Sequence, residues 1–209
     1  MQITKLEHSG IIIEKNQKKV IFDPVEFEQV IPGAENVVAI IITHKHSDHF
    51  QPEVINKILR INQNAKVFTT SDTAALINGA ITVKAGDVHE VGDFKFEFFG
   101  RDHAPIIPGQ VPCENVGVVI NDEVINPGDS FDIPTNSARV LLVPISAPWL
   151  KISESMDYIE KVKPEIVIPI HDALLSGLGE TISNNWISKA CDNAKAKYEL
   201  LKIYESITI

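Results

Sequence analysis

Three imidazoles and a carboxylate fall within six residues: His44, His46, Asp48 and His49. Left without a cation, these side chains would repel one another when protonated or need separate hydrogen-bond partners when neutral. A divalent metal removes both difficulties, because neutral imidazole and carboxylate are its ordinary ligands. His44, His46 and Asp48 alternate, so at the end of an extended strand they point to one side. His49 breaks the alternation, which suggests two neighbouring metal positions rather than one. The HxHxDH pattern carries far more weight than a lone histidine, although a polar turn stabilised by histidines is the alternative on these residues alone.

The apolar run at residues 37–42 leads straight into this cluster and reads as a buried strand, a rigid support for polar side chains at its end. Short β-branched stretches at residues 3–6, 10–14 and 20–22 precede it, the last two joined by a turn at Asn16, Gln17 and Lys18. Pro52 and Glu53 open a helix whose apolar face is Val54, Ile55, Ile58, Leu59 and Ile61. A strand at 66–69, a short helix from Ser71 through Leu76, and strands at 81–83 and 94–99 follow. Pro105, Pro108, Gly109 and Pro112 mark residues 102–114 as a loop of restricted backbone freedom. A hairpin around Asn121 and Asp122 joins strands 116–120 and 123–125, and 140–144 is the next strand. A helix capped by Ser153 and stopped at Lys163 by Pro164 leads to a short strand at 167–169. A final helix starts near Ser183 and runs through Ala190, and residues 198–203 close as a strand. Two sheets facing each other with helices outside satisfy this order, an α/β arrangement with two halves of related organisation.

Length and charge narrow the function. At 209 residues one domain spanning 1–209 is expected, and 22% charged residues argue against wholesale disorder. A net charge of −9 disfavours a broad nucleic-acid surface or an anionic membrane surface. No apolar run approaches the length of a membrane span, and no basic stretch followed by an apolar one opens the chain. A cytoplasmic setting is therefore expected. Cys113 and Cys191 make neither a disulfide framework nor a thiolate cluster.

The motifs taken together resemble the metallo-β-lactamase superfamily of metal-dependent hydrolases. After residues 43–49 come Gly100-Arg101-Asp102-His103, Gly128-Asp129-Ser130 and Pro169-Ile170-His171-Asp172, each following an apolar strand-like run. The resemblance implies a four-layer αββα sandwich of two facing mixed sheets with outer helices. It also implies two divalent ions, zinc by default with manganese or iron able to use the same ligands. His44, His46 and His103 would hold one; Asp48, His49 and His171 the other; Asp129 would bridge them. Residues 6–10, 115–117, 144–151 and 168–173 look like the ascorbate-6-phosphate lactonase-like branch, which implies a small-molecule substrate and an assembly of identical copies; a two-cation centre would favour an anionic or polarised substrate.

Around these ligands the assignments are less specific. His8 follows the first strand and is either a catalytic or substrate-contacting group or a structural histidine, and Asp48 could also orient the attacking water. Trp149 is a pocket wall or a packing residue, and Lys151 an anion contact or a solvated cation. His89 is expected in solvent, while Cys113 and Cys191 are expected to be inert. The reaction expected is hydrolysis of an ester, lactone, amide or phosphodiester by a metal-activated water. A phosphodiesterase or nuclease, and a non-catalytic metal-bound sensor or structural subunit, are the alternatives. The first lacks the basic channel that processive nucleic-acid enzymes use.

Overall fold

The computed structural model describes residues 1–27 and 31–209. Its first half runs β1 (Gln2–Lys5), β2 (Ile11–Lys15), β3 (Lys18–Phe22), β4 (Val37–Ile42), α1 (Pro52–Ile61), β5 (Lys66–Thr69), α2 (Ser71–Ala74) and β6 (Ile81–Thr82). The second runs β7 (Val88–Val91), β8 (Phe94–Phe99), β9 (Gly117–Ile120), β10 (Val124–Asn126), β11 (Val140–Pro144), α3 (Ile152–Val162), β12 (Ile166–Ile170), α4 (Gly177–Ala194), β13 (Lys197–Tyr198) and β14 (Ser206–Thr208). Two seven-stranded sheets result, in the orders β14-β1-β2-β3-β4-β5-β6 and β13-β12-β11-β10-β9-β8-β7.

The hydrophobic pattern explains the layering. Ala39 and Ile41 of β4 join the core between the sheets, while Val37, Ile40 and Ile42 pack with Val54, Ile55 and Ile58 of α1. A strand covered on both faces reads as an unbroken apolar run, as β4 does. Strand β8 alternates instead, with Phe94, Phe96 and Phe98 inward and Lys95 and Glu97 less buried. On the far side, Leu141 and Val143 of β11 meet Tyr158 and Ile159 of α3 and Ile187 and Ala190 of α4. Helix, sheet, sheet, helix is the arrangement the resemblance implied. Each large aliphatic or aromatic side chain fully buried here contributes about 2 kcal/mol of hydrophobic stabilisation.

Strand direction puts the polar residues together. The pairs β3–β4 and β4–β5 are parallel in one sheet, and β10–β11 and β11–β12 are parallel in the other. Parallel neighbours end at the same edge, so the loops after β3, β4, β10, β11 and β12 open on one rim. Those loops carry Asp23, residues 43–49, Asp129, Trp149 and His171.

Several elements differ from the sequence reading. Helix α4 starts six residues earlier than the Ser183 region, capped by Ser176, whose Oγ accepts a hydrogen bond from Gly179 N at 3.2 Å. Gly177 and Gly179 depress helix propensity and hid that first turn. Ser153 is not the cap of α3: Lys151 occupies that position, and the Glu154 carboxylate accepts from its backbone N–H at 2.9 Å. The closing strand at 198–203 is not one element, because β13 ends at Tyr198 and the chain crosses to pair β14 with β1. His89 lies in β7, opposite Phe96, half-buried with its ring 5.0 Å from that of Phe68, and is not free in solvent.

Gly128 shows how tightly the rim is built. Its φ is +61°, and a Cβ there would lie 2.3 Å from Asn115 Oδ1 and 2.8 Å from Thr43 Cβ. Asn115 Oδ1 also accepts from Asp129 N at 3.0 Å, so a side chain at 128 would displace the group that fixes Asp129. Gly128→Ala is expected to lower stability by about 2–4 kcal/mol, combining backbone strain with the clash. A denaturant midpoint within a few tenths of the parent value would refute this.

Candidate metal centre

Each imidazole on the rim is held by one nitrogen and leaves the other pointing inward. His49 Nδ1 lies 2.8 Å from Asp23 Oδ2, His103 Nδ1 2.5 Å from Ala104 O, and His171 Nδ1 2.5 Å from Ser146 O. An acceptor at Nδ1 fixes the proton there, which leaves Nε2 with a free lone pair. His44 follows the same logic: Thr43 Oγ1 donates to Asp23 Oδ2 at 2.8 Å, so it accepts from His44 Nδ1 at 3.0 Å. His46 is turned over, with Nδ1 3.0 Å from His44 Nε2 and Nε2 3.6 Å from Cys113 Sγ. Five ring nitrogens therefore converge.

The convergence makes distinct groups. The ligand atoms of His44, His46 and His103 lie within 4.8 Å of one another, as do those of Asp48, His49 and His171 together with His8. Asp129 sits between them: Oδ1 is 3.2 Å from His49 Nε2, and Oδ2 is 3.3 Å from His103 Nε2 and 3.0 Å from His171 Nε2. The indole of Trp149 donates to the same Oδ2 at 2.9 Å. All seven residues expected from the sequence are thus brought to one place, drawn from both sheets.

Burial tests whether a metal fits. Nε2 of His49, His103 and His171 and Oδ1 of Asp129 are buried without a hydrogen-bond partner. Such orphaned atoms normally cost 1–3 kcal/mol each, and so many in one pocket need a common partner. The donor set, imidazole and carboxylate, is the one divalent cations take.

Electrostatics agree. Burial opposes charge on His49, but Asp129 and Asp23 on either side outweigh it and hold the imidazole well above its ordinary pKa. Burial, with repulsion from His49, pushes His44 well below its own. For Asp129 and Asp48 burial favours the neutral acid, yet the surrounding imidazoles win and keep both carboxyls low. The pocket thus stabilises positive charge between its carboxylates, and a cation at His49 Nε2 would take the place of a proton.

His8 behaves differently. Its Nδ1 accepts the Ala173 N–H at 3.2 Å, so the neutral ring carries its proton on Nε2, 3.4 Å from Asp48 Oδ2. That tautomer donates and does not ligate. Lys5 Nζ, 2% exposed, donates to His8 O at 2.6 Å and pairs with Asp172 at 3.2 Å, fixing the loop that carries the ring. His8 and His171 both have positive φ, 55° and 60°, and His171 N donates to His8 O at 3.2 Å. Strained backbone at two touching site residues is held by these bonds.

Asp23 is the residue sequence reasoning missed. It accepts from Thr43 N at 2.7 Å, from Thr43 Oγ1 and from His49 Nδ1. Asp23-Pro24 read only as the end of a strand; the same dipeptide marks a carboxylate at a strand terminus on the ligand rim. Arg101 and Asp102 pair with each other at 2.8 Å near the surface and Lys151 is exposed, so none of them touches the imidazoles. Cys113 Sγ has His46 Nε2 as a neighbour, but burial and Asp72 push its thiol up, away from thiolate.

Fold and site together define a histidine–carboxylate rim at the edge of an αββα sandwich. A family model described as Beta-lactamase superfamily domain matches residues 2–171, and the chain belongs to that superfamily. Protein Rv0786c of Mycobacterium tuberculosis is 32% identical over 182 residues, 84% of this chain and 86% of that protein. The UPF0173 metal-dependent hydrolase NEQ378 of Nanoarchaeum equitans is 27% identical over 189 residues, 82% of this chain and 83% of that one. Among solved structures, Igni18, a metallo hydrolase of the archaeon Ignicoccus hospitalis, superposes with a TM-score of 0.76 at 18% identity, over 100% of this chain and 97% of that one. That likeness is one of fold. No helix among the described residues is long and apolar enough to cross a membrane.

Proposed function

We propose that the chain is a metal-dependent hydrolase acting on a small molecule. His44, His46 and His103 would hold one divalent ion, Asp48, His49 and His171 a second, with Asp129 between them; zinc is the default, and manganese or iron suits the same donors. The observation that carries this reading is the set of buried, unpartnered imidazole nitrogens facing a buried carboxylate. Bound metal would supply Lewis acidity, activating water near neutral pH and polarising the bond to be cleaved. The similarity to a UPF0173 metal-dependent hydrolase supports the same class.

The chain's own residues divide the remaining work. Asp48 is the carboxylate ligand with water access, its side chain 34% exposed against 3% for Asp129. It is placed to orient the attacking water and accept its proton. His8 Nε2–H, beside Asp48, is placed to donate to the substrate or return that proton. Apart from half-buried His46, the other donors are buried and stay oriented by the groups behind them.

The test is reconstitution with zinc, manganese and iron separately, with metal quantified and turnover measured on esters, lactones, amides and phosphodiesters. Loading is expected to raise the melting temperature by about 5 °C or more, because the ions bind only the folded rim. Absence of bound metal after reconstitution, with no change in melting temperature, would refute the assignment.

A further inference from the structure

Resting on the hydrolase reading, we infer that the substrate carries an uncharged apolar substituent, seated under the loop of residues 104–113 against His46 and His103. The loop is a stiff flap. Asp102 bridges Glu114 at its base, His103 N donates to Cys113 O at 3.0 Å, and Glu114 is in turn held by Ser71 Oγ at 2.7 Å. Three prolines restrict the span between. Its tip exposes Ile106, Ile107 and Val111 at 45%, 56% and 88%. Large apolar side chains held in water on a rigid stalk beside a reactive centre mark a contact for something apolar.

Beneath the flap is a cavity of about 280 Å³ whose floor is His46 and His103 and whose walls include those three side chains and Pro112. A volume of that size holds roughly ten methylene groups at the usual liquid-like space per group. The one lysine on its wall, Lys45, is already paired with Asp72 at 2.9 Å. On the other side of the flap, a wider cavity of about 770 Å³ is lined by Asp102, Asp132 and Glu154, and its one arginine, Arg101, is bound to Asp102. Among the described residues lining either cavity, both long cationic side chains are already paired, and the carboxylates line the wider one. A phosphate remote from the scissile bond would find no unpaired lysine or arginine in either cavity and would face acidic side chains in the wider one. An alkyl or aryl group under the flap meets Ile106, Ile107, Val111 and Pro112, with Lys45, Gln110 and Cys113 as its other neighbours.

The inference separates this chain from the anionic substrates that a two-cation centre would favour. The experiment is calorimetric titration of the zinc-loaded full chain with hydroxamates of increasing alkyl length, acetyl to octanoyl, and with the hexanoyl compound bearing a terminal phosphonate. The hydroxamate reads the metal and the tail reads the cavity. Affinity is expected to rise about threefold per methylene until the cavity fills, and the phosphonate is expected to weaken binding at least tenfold. Ile107→Asp and Val111→Asp, at exposed positions, should flatten the series while metal content stays at the parent level. A series without slope, or a phosphonate that binds tighter, overturns the inference and leaves the hydrolase reading intact. If no metal is bound, the hydrolase reading fails instead. Titration with 1-alkanols then decides the cavity: a chain-length slope lost in Val111→Asp supports it, and no slope overturns it.

Discussion

Asp129→Ala is expected to cut turnover by roughly 10³-fold or more, with metal content falling in parallel, because the change removes the one carboxylate shared between the ligand groups. Its two oxygens lie 3.0–3.3 Å from three imidazole nitrogens, and among the described residues no other buried carboxylate faces that many. Stability should respond differently in the two forms of the protein. In the metal-free form, losing Asp129 removes both its attraction to His49 and the cost of burying its own charge, which largely offset. In the loaded form the variant loses the cations as well, so its melting temperature should fall toward that of the chelated parent. Elemental analysis, kcat/KM and melting curves with and without chelator check the three parts. A variant that keeps both its metal and its rate would show that Asp129 is packing, not chemistry.

Asp23 offers the second large effect, exerted from behind the ligands. Its carboxylate, fully buried, accepts from the Thr43 backbone and hydroxyl and from His49 Nδ1, and through Thr43 it also sets the tautomer of His44. Asp23→Ala leaves those donors unpaired in the core, and is expected to cost about 3–5 kcal/mol in stability. Asp23→Asn keeps the shape and one acceptor but gives up the charge and turns an NH2 toward one of the donors. It is expected to fold and to bind metal about 10–100-fold more weakly, which competition against a chromogenic chelator would measure. Unchanged affinity in the asparagine variant would mean that the orientation of His49 does not depend on this carboxylate.

The two residues also show what was legible in the sequence. Asp129 sits in a Gly-Asp-Ser motif after a strand, and its expected place between the ligand groups came only from the resemblance to the metallo-β-lactamase superfamily. Asp23 is an acid before a proline, a common way to end a strand, and nothing local separates that from a carboxylate aimed at an imidazole across the rim. The layers were readable because β4 and β8 obey opposite hydrophobic patterns, continuous where two layers cover the strand and alternating where one face is less covered. The start of α4 and the split between β13 and β14 were not, since the first depends on a cap ahead of two glycines and the second on which sheet the chain finds after Tyr198. His8 could not be settled from its neighbours in sequence. Its tautomer is set by the backbone of Ala173, 165 positions away.

The rim draws each group of donors from both sheets, with His103 completing the set begun by His44 and His46, and His171 the set begun by Asp48 and His49. Each ion would therefore act as a rivet through the sandwich, and neither half of the chain alone would present a complete set of ligands. Capture of the second ion would then report that the halves have docked, and pulling the ions out would loosen the seam between them before it melted either sheet.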